Sequence, residues 1–113
     1  MKRPSQDKTF PEVALRLKHV GEYIRIARKR RRMTMAEVAE RLNLGYQTIV
    51  RIEKGDPGVS MTSYLSVVWL FDLDRQFVAA IHPDRDEAGK ALEYSRLPER
   101  VGTKRAVEDA HDF

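Results

Sequence analysis

The stretch from Thr34 to Gly55, TMAEVAERLNLGYQTIVRIEKG, constrains the chain more than any other, because it carries start and stop signals for two short helices with an abrupt turn between them. Thr34 followed three residues later by Glu37 is a capping box, in which the hydroxyl takes the Glu37 amide and the carboxylate reaches back to the Thr34 amide. A helix therefore starts there. Val38, Ala39 and Leu42 give it a narrow apolar stripe that Asn43, Leu44 and Gly45 interrupt within about two turns. Gly45 tolerates the dihedrals of a tight junction and is an acceptable N-cap, so a second helix begins at Tyr46. Gly55 ends that helix, and Pro57 forbids its continuation.

Helical periodicity puts Thr48, Ile49, Ile52 and Glu53 on one half of the second helix and Tyr46, Gln47, Val50, Arg51 and Lys54 on the other. The first half is core. The second offers an amide, a guanidinium, an ammonium and a phenol, the groups that read base edges and phosphates in a DNA major groove. Two short helices, a tight turn and a polar outer face on the second make up the arrangement in which that helix enters the groove.

The spacing RxxxxxTxxxxAxxLxxxxxTIxRIExG, from Arg28 to Gly55, resembles the Cro/repressor-like (XRE-type) helix-turn-helix regulators, and the resemblance runs from about Val20 to Leu73, roughly half the chain. It implies an all-α, lambda-repressor-like five-helix DNA-binding domain, here with an extra N-terminal segment and a partly flexible C-terminal tail. Carried over by position, it implies that Tyr46, Gln47 and Arg51 face bases, with Gln47 suited to adenine and Arg51 to guanine O6 and N7. It assigns Thr34, Thr48, Lys54 and Ser60 to phosphates, and it turns Arg28 inward to pair with Glu53. One departure is Met35, which stands where the family commonly has a glutamine able to brace the start of the second helix. The family binds double-stranded DNA as a homodimer, with recognition helices about 34 to 36 Å apart on a pseudo-palindrome. The compact build and the run GVSMTSYLSVVWLFDL further resemble HipB-type antitoxins, which repress their own operon and hold a HipA-like kinase toxin; the alternative is a stand-alone repressor.

The charge distribution points the same way. The net charge is only +4, but Arg28, Lys29, Arg30, Arg31 and Arg32 form an unbroken basic run, while acids collect at Asp72, Asp74, Asp84, Asp86, Glu87, Glu108, Asp109 and Asp112. One face suits a polyanion and another suits something else. With no cysteine there are no disulfides or thiolate metal sites, which fits a reducing bacterial cytoplasm. No apolar run approaches the roughly 20 residues of a membrane span, and MKRPSQDKTF lacks the apolar centre of a signal peptide. His19, His82 and His111 lie far apart with no ligand or general-base spacing, and no phosphate loop occurs, so the expectation is a non-enzyme without cofactor, metal or catalytic residue. The competing class is a protein-binding adaptor of the same fold without DNA binding, or an RNA binder.

In chain order, residues 1–10 read as a flexible arm, 11–82 as the DNA-binding and dimerisation domain and 83–113 as a tail. Thr9, Phe10, Pro11 and Glu12 make a helix start. Gly21 then allows either one long helix weakened there or a short helix at 11–19 followed by another at 20–32, and the family resemblance favours the second. After the turn-rich Asp56–Val59 loop, Ser60 caps a helix whose core face is Met61, Tyr64, Leu65, Val68 and Phe71. Val67, Trp69 and Leu70 are apolar too, and a helix apolar nearly all round in a small domain needs a second surface to cover it. Residues 72–82 read as a fifth helix or as a strand. Trp69, Leu70, Leu73, Phe77 and Ile81 are therefore the candidate dimerisation residues, and a brief helix is expected near 85–94.

Overall fold

In a computed structural model, residues 9–96 are described, and among them every regular element is helical. The elements are α1 (Pro11–Arg30), α2 (Met35–Leu42), α3 (Tyr46–Glu53), α4 (Met61–Leu70), α5 (Asp74–Ala79), a 3-10 turn (Pro83–Arg85) and α6 (Glu87–Arg96). They fall into two compact units, one running to Phe77 and one starting at Val78, so the boundary lies inside α5. The all-α, lambda-repressor-like architecture is that of the first unit, with five helices reaching into it. The N-terminal arm up to residue 8 and the tail beyond residue 96 lie outside the described residues.

The expected break at Gly21 does not occur, since α1 runs unbroken for 20 residues from Pro11 at its first position. A glycine inside a helix costs about 1 kcal/mol relative to alanine, so its presence needs a reason. The reason is a close crossing. A Cβ at Gly21 would stand 2.6 Å from the Ile52 carbonyl oxygen, 2.7 Å from the Gly55 nitrogen and 2.8 Å from the Glu53 carbonyl oxygen. Gly55 answers from the other side: it has φ +71°, and a Cβ on it would lie 2.6 Å from both the Leu17 oxygen and the Lys18 Cα. The two glycines let α1 and the end of α3 meet backbone to backbone.

Thr34 caps α2 with both halves of the capping box in place. At the α2–α3 turn Gly45 is the N-cap of a helix that begins at Tyr46, as read, with an extended φ of −70°, and the left-handed residue of the turn is Asn43, at φ 55°. Asparagine is among the few side chains that tolerate that conformation, and the Asn43 and Leu44 amides close the end of α2 onto the Glu40 and Ala39 carbonyls.

The core draws on four helices: Ile24 and Ala27 from α1, Val38 and Ala39 from α2, Ile49 and Ile52 from α3, Tyr64, Val67 and Val68 from α4, with Phe71 just beyond. Leu42, Leu65, Leu70 and Leu73 pack against it. On α4 the expected face is shifted, because Val67 is fully buried while Met61 is 63% exposed. Ser60 caps this helix as read, its hydroxyl accepting from the Ser63 amide. Residues 74–79 are helical and not a strand, and they start later than residue 72 because Asp72, at φ 62°, closes α4 with a left-handed turn.

In the second unit the Asp84 amide donates to His82 Nδ1 and the Gly89 amide to Asp86 Oδ1 as α6 begins, two residues after the expected start at 85. No helix of the described residues is long and apolar enough to cross a membrane.

Candidate nucleic-acid interface

Three constraints fix the orientation of α3. Ile49 and Ile52 bury its inner face, and the Gly21–Gly55 crossing sets its distance from α1. The third is an ion pair, in which Arg28 Nε donates to Glu53 Oε2 at 2.6 Å and Nη2 to Glu53 Oε1 at 3.1 Å. The remaining arm of the guanidinium, Nη1, donates to the Met33 carbonyl at 2.8 Å, so one buried arginine joins α1, α3 and the link into α2. The Glu53 hydrogen bonds raise the Arg28 pKa above its ordinary value, against burial, which lowers it. Arg28 therefore stays charged at every accessible pH.

With α3 held this way, its outer residues differ in availability. Tyr46 is 47% exposed, Gln47 and Lys54 are exposed, and Thr48 and Val50 are half-buried. Arg51 is different. Its Nε donates to Asp56 Oδ2 at 2.7 Å, and its Nη2 is buried without a hydrogen-bond partner. The sequence placed Asp56 in a turn-rich loop and assigned it no part in the site. Its Oδ1 accepts from the Gly58 amide at 2.7 Å, and its backbone carbonyl accepts from the Tyr64 hydroxyl at 2.8 Å. Burial, and next the negative charge of Asp56, push the Tyr64 pKa up to about 12.

The phosphate candidates are equally uneven. The Thr34 oxygen accepts from the Glu37 amide at 3.0 Å, which leaves the hydroxyl proton of an exposed side chain to donate. Ser60 already donates to Ser63 Oγ at 3.2 Å and would have to turn to reach a phosphate. Met35, at the position of the family's glutamine, packs against the core.

Within the basic run, Arg28 is internal, and Arg31 donates to the Ala27 carbonyl at 2.9 Å and to the Phe71 carbonyl at 2.8 Å, its guanidinium lying 5.1 Å from the centre of the Phe71 ring. Lys29, Arg30, Arg31 and Arg32 are all exposed. Of the dimerisation candidates, Trp69 is 62% exposed and Leu70 and Leu73 are half-buried. Leu73 and Phe77 help line an apolar cavity of about 200 Å³ with Val20, Tyr23, Ile24, Val68 and Phe71. Ile81 belongs to the second unit and is 82% exposed there. Among the described residues no group of three or more histidines or carboxylates could hold a metal ion.

Compared with known proteins, residues 24–64 match the sequence profile of the helix-turn-helix family, a segment from the C-terminal half of α1 into the first turn of α4. No curated protein and no solved structure matches the chain.

Proposed function

Because residues 24–64 are a Cro/repressor-like (XRE-family) helix-turn-helix, the DNA-binding element of transcriptional regulators, we propose that this protein represses transcription by binding a pseudo-palindromic operator as a homodimer. The observation that carries the reading is the contrast between the two faces of α3: an inner face locked by Ile49, Ile52 and the Arg28–Glu53 pair, and an outer face that leaves Tyr46 and Gln47 open to solvent. A helix held rigidly with an amide and a phenol outward is preorganised to enter a groove without ordering itself on binding. In this reading Gln47 takes adenine and Arg51 takes guanine, each contributing about 1 to 3 kcal/mol of discrimination. Thr34, Thr48, Lys54 and Ser60 fix the register on phosphates.

The mate is supported by the exposed Trp69 and by the apolar cavity bordered by Leu73 and Phe77, since a small domain rarely leaves such surface uncovered. Two copies then read two half-sites about one helical turn apart. In the antitoxin form of the same reading, the exposed acids Asp84, Asp86 and Glu87 face a HipA-like kinase. Co-expression with the product of the adjacent gene, followed by sizing of the complex, tests that form.

The deciding experiment is selection and sequencing of duplexes retained by the purified protein, repeated with Gln47→Ala and Arg51→Ala. Loss of preference at one position per half-site for each variant is the expected result. An adaptor that does not bind DNA would select nothing and show no salt-sensitive retention on a polyanion.

A further inference from the structure

Arg51 lies one turn beyond Gln47 on α3, yet its own chain holds it. The pairing with Asp56 is incomplete: Oδ2 takes Nε, Oδ1 is drawn to the Gly58 amide, and Nη2 is left buried with no hydrogen-bond partner. A charged donor desolvated without an acceptor is among the costliest arrangements a polar group can adopt, so this pose is only weakly favoured over release. Release is open to it, because the Arg51 side chain keeps 31% of its exposure.

We propose that Asp56 is a specificity-determining residue that competes with DNA for Arg51. The inference rests on the DNA-reading assignment above and adds a condition to it. While the pair is closed, Arg51 and Asp56 are formally neutral together, so Arg51 displaces no counterion when the protein lies on arbitrary sequence. In a matched complex, guanine presents O6 and N7 together, and that pair of acceptors satisfies two guanidinium donors, including the one that Asp56 leaves unpaired. Arg51 is thus released by the correct base edge and stays closed elsewhere. The carboxylate lowers affinity for every duplex but lowers it most where no guanine is in register, which widens the ratio of specific to non-specific binding.

Asp56→Asn separates this role from loop structure, because the asparagine Oδ1 still accepts from Gly58 while its amide offers Arg51 no acceptor. Binding of the full chain to its selected duplex and to a random duplex of equal length is measured across a salt series. Asp56→Asn is expected to bind the random duplex more tightly, to steepen its log–log salt slope by about 0.9, the value of one added phosphate contact, and to lower the specific-to-random ratio. In an Arg51→Ala background Asp56→Asn is expected to change neither quantity. An unchanged slope and ratio, a loss of binding confined to the selected duplex, or the same change without Arg51 each overturns the proposal.

A second readout needs no variant that must fold at Asp56. The Arg51 Nε–H resonance of the unsubstituted protein, assigned by its absence from Arg51→Ala, is expected to shift on adding the selected duplex and to stay in place on adding the random one. A shift with both overturns the competition. If the unsubstituted protein selects no duplex, the DNA-reading assignment itself fails, an outcome distinct from a binder indifferent to Asp56.

Discussion

Replacing Gly21 by alanine is the sharpest test of how α3 is held, because intrinsic propensity and packing predict opposite signs. Alanine in the middle of a 20-residue helix favours the fold by about 1 kcal/mol over glycine. Against this, the added methyl would sit 2.6, 2.7 and 2.8 Å from three backbone atoms of Ile52, Gly55 and Glu53. None of the three can rotate away as a side chain could. Restoring ordinary contact at 3.4 Å or more requires α1 and α3 to part by about 0.6 to 0.8 Å, a gap that forfeits a quarter to a half of each van der Waals attraction across the seam. Overpacking of this kind costs about 1 to 3 kcal/mol, and the rigidity of all three neighbours places Gly21→Ala at the upper end. The net loss is then about 2 kcal/mol, or about 8 to 16 °C in Tm for a domain of this size. Thermal melting followed by circular dichroism, with calorimetry to check two-state behaviour, measures it. Equal or higher Tm would show that the crossing is not tight and that propensity decides. Gly55→Ala should be worse, since it adds the strain of φ +71° to a similar collision.

Other substitutions probe the remaining anchors. Glu53→Ala strands the Arg28 guanidinium, whose side chain is only 10% exposed, and is expected to cost about 3 to 5 kcal/mol, whereas the paired change Arg28→Met with Glu53→Leu restores most of that loss. Unchanged melting of Glu53→Ala would remove the clamp from the account. Thr34→Ala deletes the acceptor of the Glu37 amide and should lower stability by about 1 kcal/mol in urea titration. Tyr64, shifted from about 10 when unfolded to about 12 when folded, favours its neutral form in the native state. Its contribution is therefore complete below about pH 10 and disappears as pH rises toward about 12. Denaturant midpoints taken up this range should fall, and fall less for Tyr64→Phe; an equal fall in both would assign the alkaline loss to other groups.

What the sequence disclosed follows from how local each cause is. The Thr34–Glu37 box, the Ser60 cap and the apolar faces of α2 and α3 depend on residues within a turn of one another, and they stand in the structure as read. The Arg28–Glu53 pair spans 25 residues and was accessible only through family resemblance. Of the two readings at Gly21 the one found is the single long helix, and the favoured break fails because the role of Gly21 is set by Gly55, a residue distant in sequence that it meets only after folding. At the α2–α3 turn the sequence marked Gly45 as the N-cap it is, while the left-handed conformation of Asn43 carried no distinct signal beside it. Asp56 was read only as a turn residue for another reason: its pairing with Arg51 crosses the end of α3, where helical periodicity no longer says which side chains are neighbours.

Arg31 carries a consequence for the ionic character of any polyanion binding. Its guanidinium closes the carbonyl ends of two helices at once, Ala27 in α1 and Phe71 just past α4, while lying over an aromatic ring. The residue stays exposed while so engaged, and with only Arg28 internal the five-cation block presents Lys29, Arg30, Arg31 and Arg32 outward. The sensitivity of complex formation to electrolyte that this block can confer is thus bounded near four displaced ions per protomer. A formal tally of its positive charges would overstate its pull on a distant strand by one, the Arg28 charge that Glu53 already answers.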